Sequence, residues 1–66
     1  MTSIATEIFR IAPRTRRDFD LAGEGNEFDD WAEALEAAYS LNETCPLDGD
    51  EWIVYSSTPG GGWKAH

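Results

Sequence analysis

Residues 28–39 read FDDWAEALEAAY, and the fold turns on how this stretch is placed. Alanine, leucine and glutamate give it high helix propensity. Asn26 just upstream is suited to cap its start, and Glu27, Asp29 and Asp30 suit the positive end of the helix dipole. At about 100° per residue, Phe28, Trp31, Ala32, Leu35, Ala38 and Tyr39 gather on one arc, which predicts the face turned to the core. Asp29, Asp30, Glu33 and Glu36 fall opposite, beside Ala37 and Ser40. Asn42 is the expected end of the helix, because Pro46 forbids easy continuation.

Strand signals lie on both sides of the helix. Residues 3–13, SIATEIFRIAP, are rich in Ile, Thr and Phe and stop at a proline, which predicts a first strand. In RRDFDLAGEG, residues 16–25, Arg17, Phe19 and Leu21 alternate with Arg16, Asp18 and Asp20, which predicts a second strand broken at Gly23 and Gly25. The cluster Arg14 to Arg17 then falls in the intervening hairpin. After a turn at Asp48-Gly49-Asp50, residues 51–57 predict a further strand, with Trp52 and Val54 on one side and Ile53 and Tyr55 on the other. Apolar residues on both sides place it in the middle of the sheet. Trp63, after the Gly60–Gly62 run, marks a short last strand. The fold class that results is α+β: a small antiparallel sheet of three or four strands with one amphipathic helix packed on one face.

With 66 residues, the chain is expected to be one acidic domain spanning 1–66, near the lower limit for folding without disulfides or metal. Three Trp, two Tyr and three Phe compensate, since each aromatic buries roughly 150 to 250 Å². A lone Cys45 has no internal disulfide partner and reads as a half-buried thiol. No long apolar run or signal-like segment is present, which points to the cytoplasm and away from a membrane. The sequon Asn42-Glu43-Thr44 has no use there.

Reactive groups are few. His66 is the last residue, where a base is poorly held, so a Cys45–His66 pair carries little weight. Setting Gly49 at the sixth position of a calcium loop would put the ligand positions on Thr44, Pro46 and Tyr55, which fail as ligands. PGGGWK lacks the Lys-Ser/Thr ending of a phosphate-binding loop, and one Cys with one His does not make a zinc site. No cofactor, no metal and no enzymatic activity are expected.

Charge is the strongest functional signal. The net charge is −8, and residues 18–51 hold twelve carboxylates without a single Lys or Arg. On the helix this creates only acid pairs at three- and four-residue spacing, Asp29–Glu33, Asp30–Glu33 and Glu33–Glu36, at an expected cost on the order of 1 kcal/mol before screening. Carboxylates so spaced lie about 5 to 6 Å apart at Cβ. DNA phosphates rise by about 3.4 Å per strand, so an acidic row roughly imitates a phosphate track. Asp18, Asp20, Glu24, Asp29, Asp30, Glu33 and Glu36 are the candidate partner-binding residues. Their field repels nucleic acid and anionic membranes and attracts a basic protein surface.

In format, a short acidic domain with the helix FDDWAEALEAAY, the strand DEWIVYSS and the ending GGGWKAH, the chain resembles the small anti-CRISPR proteins of phages and prophages that inhibit type I effector complexes. That resemblance implies a non-catalytic, DNA-mimicking inhibitor acting in a bacterial host cell; the basic RTRR stretch departs from it. A second reading is a regulatory or antitoxin-like adaptor that grips one basic partner through exposed aromatics, with Trp52, Tyr55 or Trp63 as anchors. Sheet edges leave both monomer and homodimer open.

Overall fold

The computed structural model describes residues 7–66. Strands β1 (Phe9–Pro13), β2 (Trp52–Ser57) and β3 (Trp63–Ala65) form an antiparallel sheet in the order β1-β2-β3, and helix α1 (Trp31–Thr44) packs on one face. This is a small α+β fold. The central position of β2 follows from its two apolar sides, as its sequence predicts. Residues 3–6 of the expected first strand lie outside the described residues.

Register assigns the faces. Phe9 stands opposite Ser56, Ile11 opposite Val54 and Pro13 opposite Trp52, so these residues share the side that receives α1. Phe9, Ile11, Trp52 and Val54 make the core with Ala34 and Ala38 of the helix. Arg10, Ala12, Ile53 and Tyr55 take the other side, where Trp63 joins them through its pairing with Ser57.

Residues 16–25 do not form the predicted second strand, and no hairpin follows β1. Past Pro13 the chain turns, with the Arg16 amide donating to the Pro13 carbonyl at 3.2 Å, and enters a 3-10 turn at Phe19–Ala22. Local chemistry outweighs the alternation. The Asp18 carboxylate accepts from the Asp20 amide at 3.2 Å and caps the turn, and Gly23 closes it at φ 88°, a conformation costly for other residues. Phe19 packs on the second face of the sheet, edge-on to Tyr55 at 5.7 Å and tilted to Trp63 at 4.8 Å. The Arg10 guanidinium covers both rings, 5.7 Å from the Phe19 centroid and 5.3 Å from that of Trp63.

Two asparagines do work that their sequence positions conceal. Asn26 does not cap α1. Its side-chain amide pairs with the backbone of Ile11 like a neighbouring strand, accepting from the Ile11 N–H and donating to the Ile11 carbonyl, each at 2.8 Å. It also reaches the Phe19 carbonyl at 2.9 Å. Phe28 continues this edge through paired backbone bonds with Phe9. Asn42 does not end the helix either. From within α1 it holds Trp52 in the same two-handed way, at 2.8 Å from the amide and 3.1 Å to the carbonyl. The helix starts instead with Asp30 as cap, its carboxylate accepting from the Glu33 amide at 3.3 Å. It runs on to Thr44 before Pro46.

Helix α1 is also rolled relative to the predicted arc. Ala34 and Ala38 are buried, with Leu35, Ala37 and Leu41 partly so. Trp31 and Tyr39 are 40 % and 60 % exposed, and Ala32 is exposed. Small side chains let the helix approach the sheet closely, and Phe9 and Trp52 fill the space from below. The thiol of Cys45 is exposed rather than half-buried.

Candidate partner-binding surface

Of the candidate carboxylates, Asp18 and Asp30 accept local backbone hydrogen bonds. Asp30 and Glu33 sit at the start of α1, where the cap bond and the dipole favour negative charge. Asp29 precedes the cap. Of the three acid pairs expected at helical spacing, only Glu33–Glu36 falls inside α1, so the expected cost shrinks to a few tenths of a kcal/mol. A carboxylate that α1 does disfavour is Glu43, in its last turn, where no basic residue answers the dipole.

The seven candidates do not form one row. Glu27, Asp29 and Glu33 surround an open concavity bounded by Ile8 and Phe28. Phe28 also borders the next concavity, which Glu24 shares with Ala37 and Ser40. Glu36 stands one turn beyond Glu33. Glu24, Glu27, Asp29 and Glu33 make an acidic flank where α1 meets the Glu24–Phe28 loop, and Glu36 extends it as an exposed residue on the helix. Asp18 and Asp20 belong elsewhere: Phe19 between them is seated on the opposite face of the sheet, and the Asp18 carboxylate is used in capping.

Counter-charge is scarce. Among the described residues one ion pair falls within 4 Å, Arg10 Nη2 to Glu27 Oε2 at 2.8 Å. Both partners are substantially exposed, so its contribution is a fraction of a kcal/mol. Arg14, Arg16 and Arg17 are exposed at the far end of β1. Arg16 borders a concavity there with Asp48 and Asp50, away from the flank. At the same concavity the Thr15 hydroxyl bonds the Asp50 carboxylate, which also accepts the Glu51 amide at 2.8 Å. Those bonds, the Thr15 hydroxyl first, hold the Asp50 pKa below its ordinary value.

The flank's neighbour on α1 is an aromatic groove that the sequence pattern concealed. Trp31, Leu35, Tyr39 and Asn42 form its helix wall, and Glu51–Val54 with His66 the other. The signal available in the sequence was the spacing of residues 31, 35 and 39, which was assigned to the core. The aromatics named as anchors are largely unavailable: Trp52 and Tyr55 are each 5 % exposed, and Trp63 is half-buried under Phe19. Trp52 is fixed by its indole N–H to the Cys45 carbonyl at 2.8 Å, and the Tyr55 hydroxyl donates to the Pro13 carbonyl at 3.0 Å.

Comparison with family models, curated proteins and solved structures gives no match for this chain.

His66 meets Ser56, with Nε2 2.7 Å from Oγ, and its ring stands edge-on to Trp31 at 5.1 Å. Ser56 is 2 % exposed, so a substrate carbonyl has no path to that hydroxyl, and the bond fastens the end of β3 instead. Among the described residues no three His, Cys, Asp or Glu side chains converge as metal ligands, and no helix is long and apolar enough to cross a membrane.

Proposed function

We propose that the protein is a non-catalytic inhibitor that presents its acidic flank to a basic nucleic-acid-binding groove of a partner. The observation that carries this reading is the run Glu24, Asp29, Glu33 and Glu36, exposed along one side of α1, with no Lys or Arg in ion-pair contact among the described residues. Such a face competes with phosphates for the same cations, and its attraction is long-ranged and weakened by salt. Asp30 adds charge from its capping position. Asp18 and Asp20, on the other side of the sheet, add to the general field that steers encounter and not to this contact.

By the format of the chain, the target class is a type I CRISPR effector complex in the cytoplasm of a bacterial host, with DNA entry as the step blocked. Duplex DNA binding by such a complex provides the test. Wild-type protein is expected to reduce DNA binding competitively, with an effect that fades as salt rises. Reversing Asp29, Glu33 and Glu36 together to Lys is expected to abolish inhibition while the circular dichroism spectrum is unchanged. Inhibition that survives the triple reversal, or that excess DNA fails to relieve, would overturn the reading.

A further inference from the structure

Helix α1 has a third side that lies apart from the acidic flank and that the core covers only in part. Trp31, Leu35 and Tyr39 stand at four-residue intervals and therefore form one row along the helix. The row borders an open groove of about 340 Å³ beside the start of β2. The pairing of β2 with β3 reaches Tyr55 opposite Ala65, and the His66 amide donates to the Val54 carbonyl at 2.9 Å. Beyond that point no strand among the described residues pairs with this edge of β2, and Asn42 already satisfies the Trp52 backbone. What the groove offers an occupant is apolar contact, with Trp31 and Tyr39 exposed at its two ends.

Charge selects the occupant. Tyr39 lies three residues from Glu36 and four from Glu43, which places an acid on each side of it on the helix surface. Glu51 lines the opposite wall, and no Lys or Arg does. A second copy carries the same net charge of −8 and would bring acid against acid. We propose that the groove receives a cationic segment of the basic partner. One large apolar side chain of that segment enters between Trp31 and Tyr39, and lysines or arginines beside it meet Glu36, Glu43 and Glu51. The two aromatic rings also attract those cations through their faces. This inference rests on the reading of the protein as a ligand for a basic surface. It adds a desolvated anchor that lengthens residence, where the acidic flank speeds encounter.

Two labelled synthetic peptides of equal positive charge separate the two ideas. One contains only Lys, Gly and Ser, and the other has a Leu in place of its central Gly. Fluorescence anisotropy at low and high salt is expected to show the Leu peptide binding about tenfold more tightly, an advantage that persists at high salt and vanishes in Tyr39→Ser. Tyr39 is the variant of choice because Trp31 also packs edge-on to Phe9 at 5.8 Å. A shift of the Trp31 indole resonance on titrating the Leu peptide into the unaltered protein gives a second reading, independent of any substitution. Equal binding of both peptides, lost together at high salt, would overturn the groove and leave the basic-partner reading standing. Binding of neither at low salt would overturn both. A concentration-dependent dimer that Tyr39→Ser dissolves would give the groove to a second copy and overturn the proposal.

Discussion

The two faces of the sheet are closed by different means. Under α1 the contact is helix on strand, with alanines at the interface and Phe9, Ile11, Trp52 and Val54 rising to meet them. On the other face no regular element covers the strands. A 3-10 turn delivers one ring, Phe19, onto Tyr55 and Trp63, and Arg10 lies over the outside of the pair. The contrast shows how a very small chain covers two faces with material for one. Regular structure covers the first, and edge-on and tilted aromatic rings with a cation cover the second. The buried Nε of Arg10, which has no hydrogen-bond partner, fits that use of the guanidinium as a flat packing surface.

The contrast breaks first at the residue that joins the two faces. Asn26 fastens the edge of β1 and also holds the Phe19 carbonyl. Asn26→Ala leaves several backbone groups without partners and is expected to cost roughly 2 to 4 kcal/mol in urea unfolding. A cost under half a kcal/mol would show that water replaces the clamp. Next come the two closures themselves. Phe19→Ala is expected to cost about 2 kcal/mol and to flatten the near-ultraviolet dichroism of the aromatic cluster. Ala38→Leu is expected to cost about 1 to 3 kcal/mol by overfilling the helix contact. If the leucine is tolerated, the interface is looser than its alanines suggest.

Charge comes after packing. Glu43→Lys places a cation at the negative end of α1 and is expected to raise stability by about 0.3 to 1 kcal/mol, more at low salt than at high. The smallest effect belongs to Asp50. Its folded pKa is lowered, so its contribution is complete above the ordinary carboxylate value of 3.8 and is lost as pH falls through the folded value. Asp50→Asn is expected to lower stability slightly at neutral pH, as Thr15→Ala does, and to make the acid limb of the pH profile shallower. An unchanged acid limb would mean that the Thr15 bond does not outlast protonation of other acids.

What was legible in the sequence was whatever depends on near neighbours. The presence of the helix, though not its ends, the two-sided strand before Ser57 and the short strand at Trp63 follow from propensity and alternation within a few residues. Residues 16–25 misled because alternation of Phe19 and Leu21 takes no account of the Asp18 cap, which bends the chain before a ladder can form. The roll of α1 was illegible for another reason. Hydrophobicity ranks Trp31 and Tyr39 above Ala34 and Ala37, whereas close approach to a sheet ranks them by size. The asparagine clamps link residues 15 and 10 positions apart, so no local pattern marks them. For the site, the exposure of the acids was readable, but their grouping was not. Glu24, Asp29, Glu33 and Glu36 follow one flank, while the 3-10 turn carries Asp18 and Asp20 to the far side. The groove was hidden by the same misassigned arc.

The Asn26 clamp has a consequence for assembly. Along the outer rim of β1, Phe9 is occupied by Phe28 and Ile11 by the asparagine amide, so a foreign strand finds no row of open donors and acceptors there. Among the described residues the opposite rim, Trp63–Ala65, has no strand beyond it. Two molecules meeting at that rim would make a six-stranded sheet whose margins are both the sealed β1 side. Association through that rim would therefore end at a closed pair rather than extend into a filament.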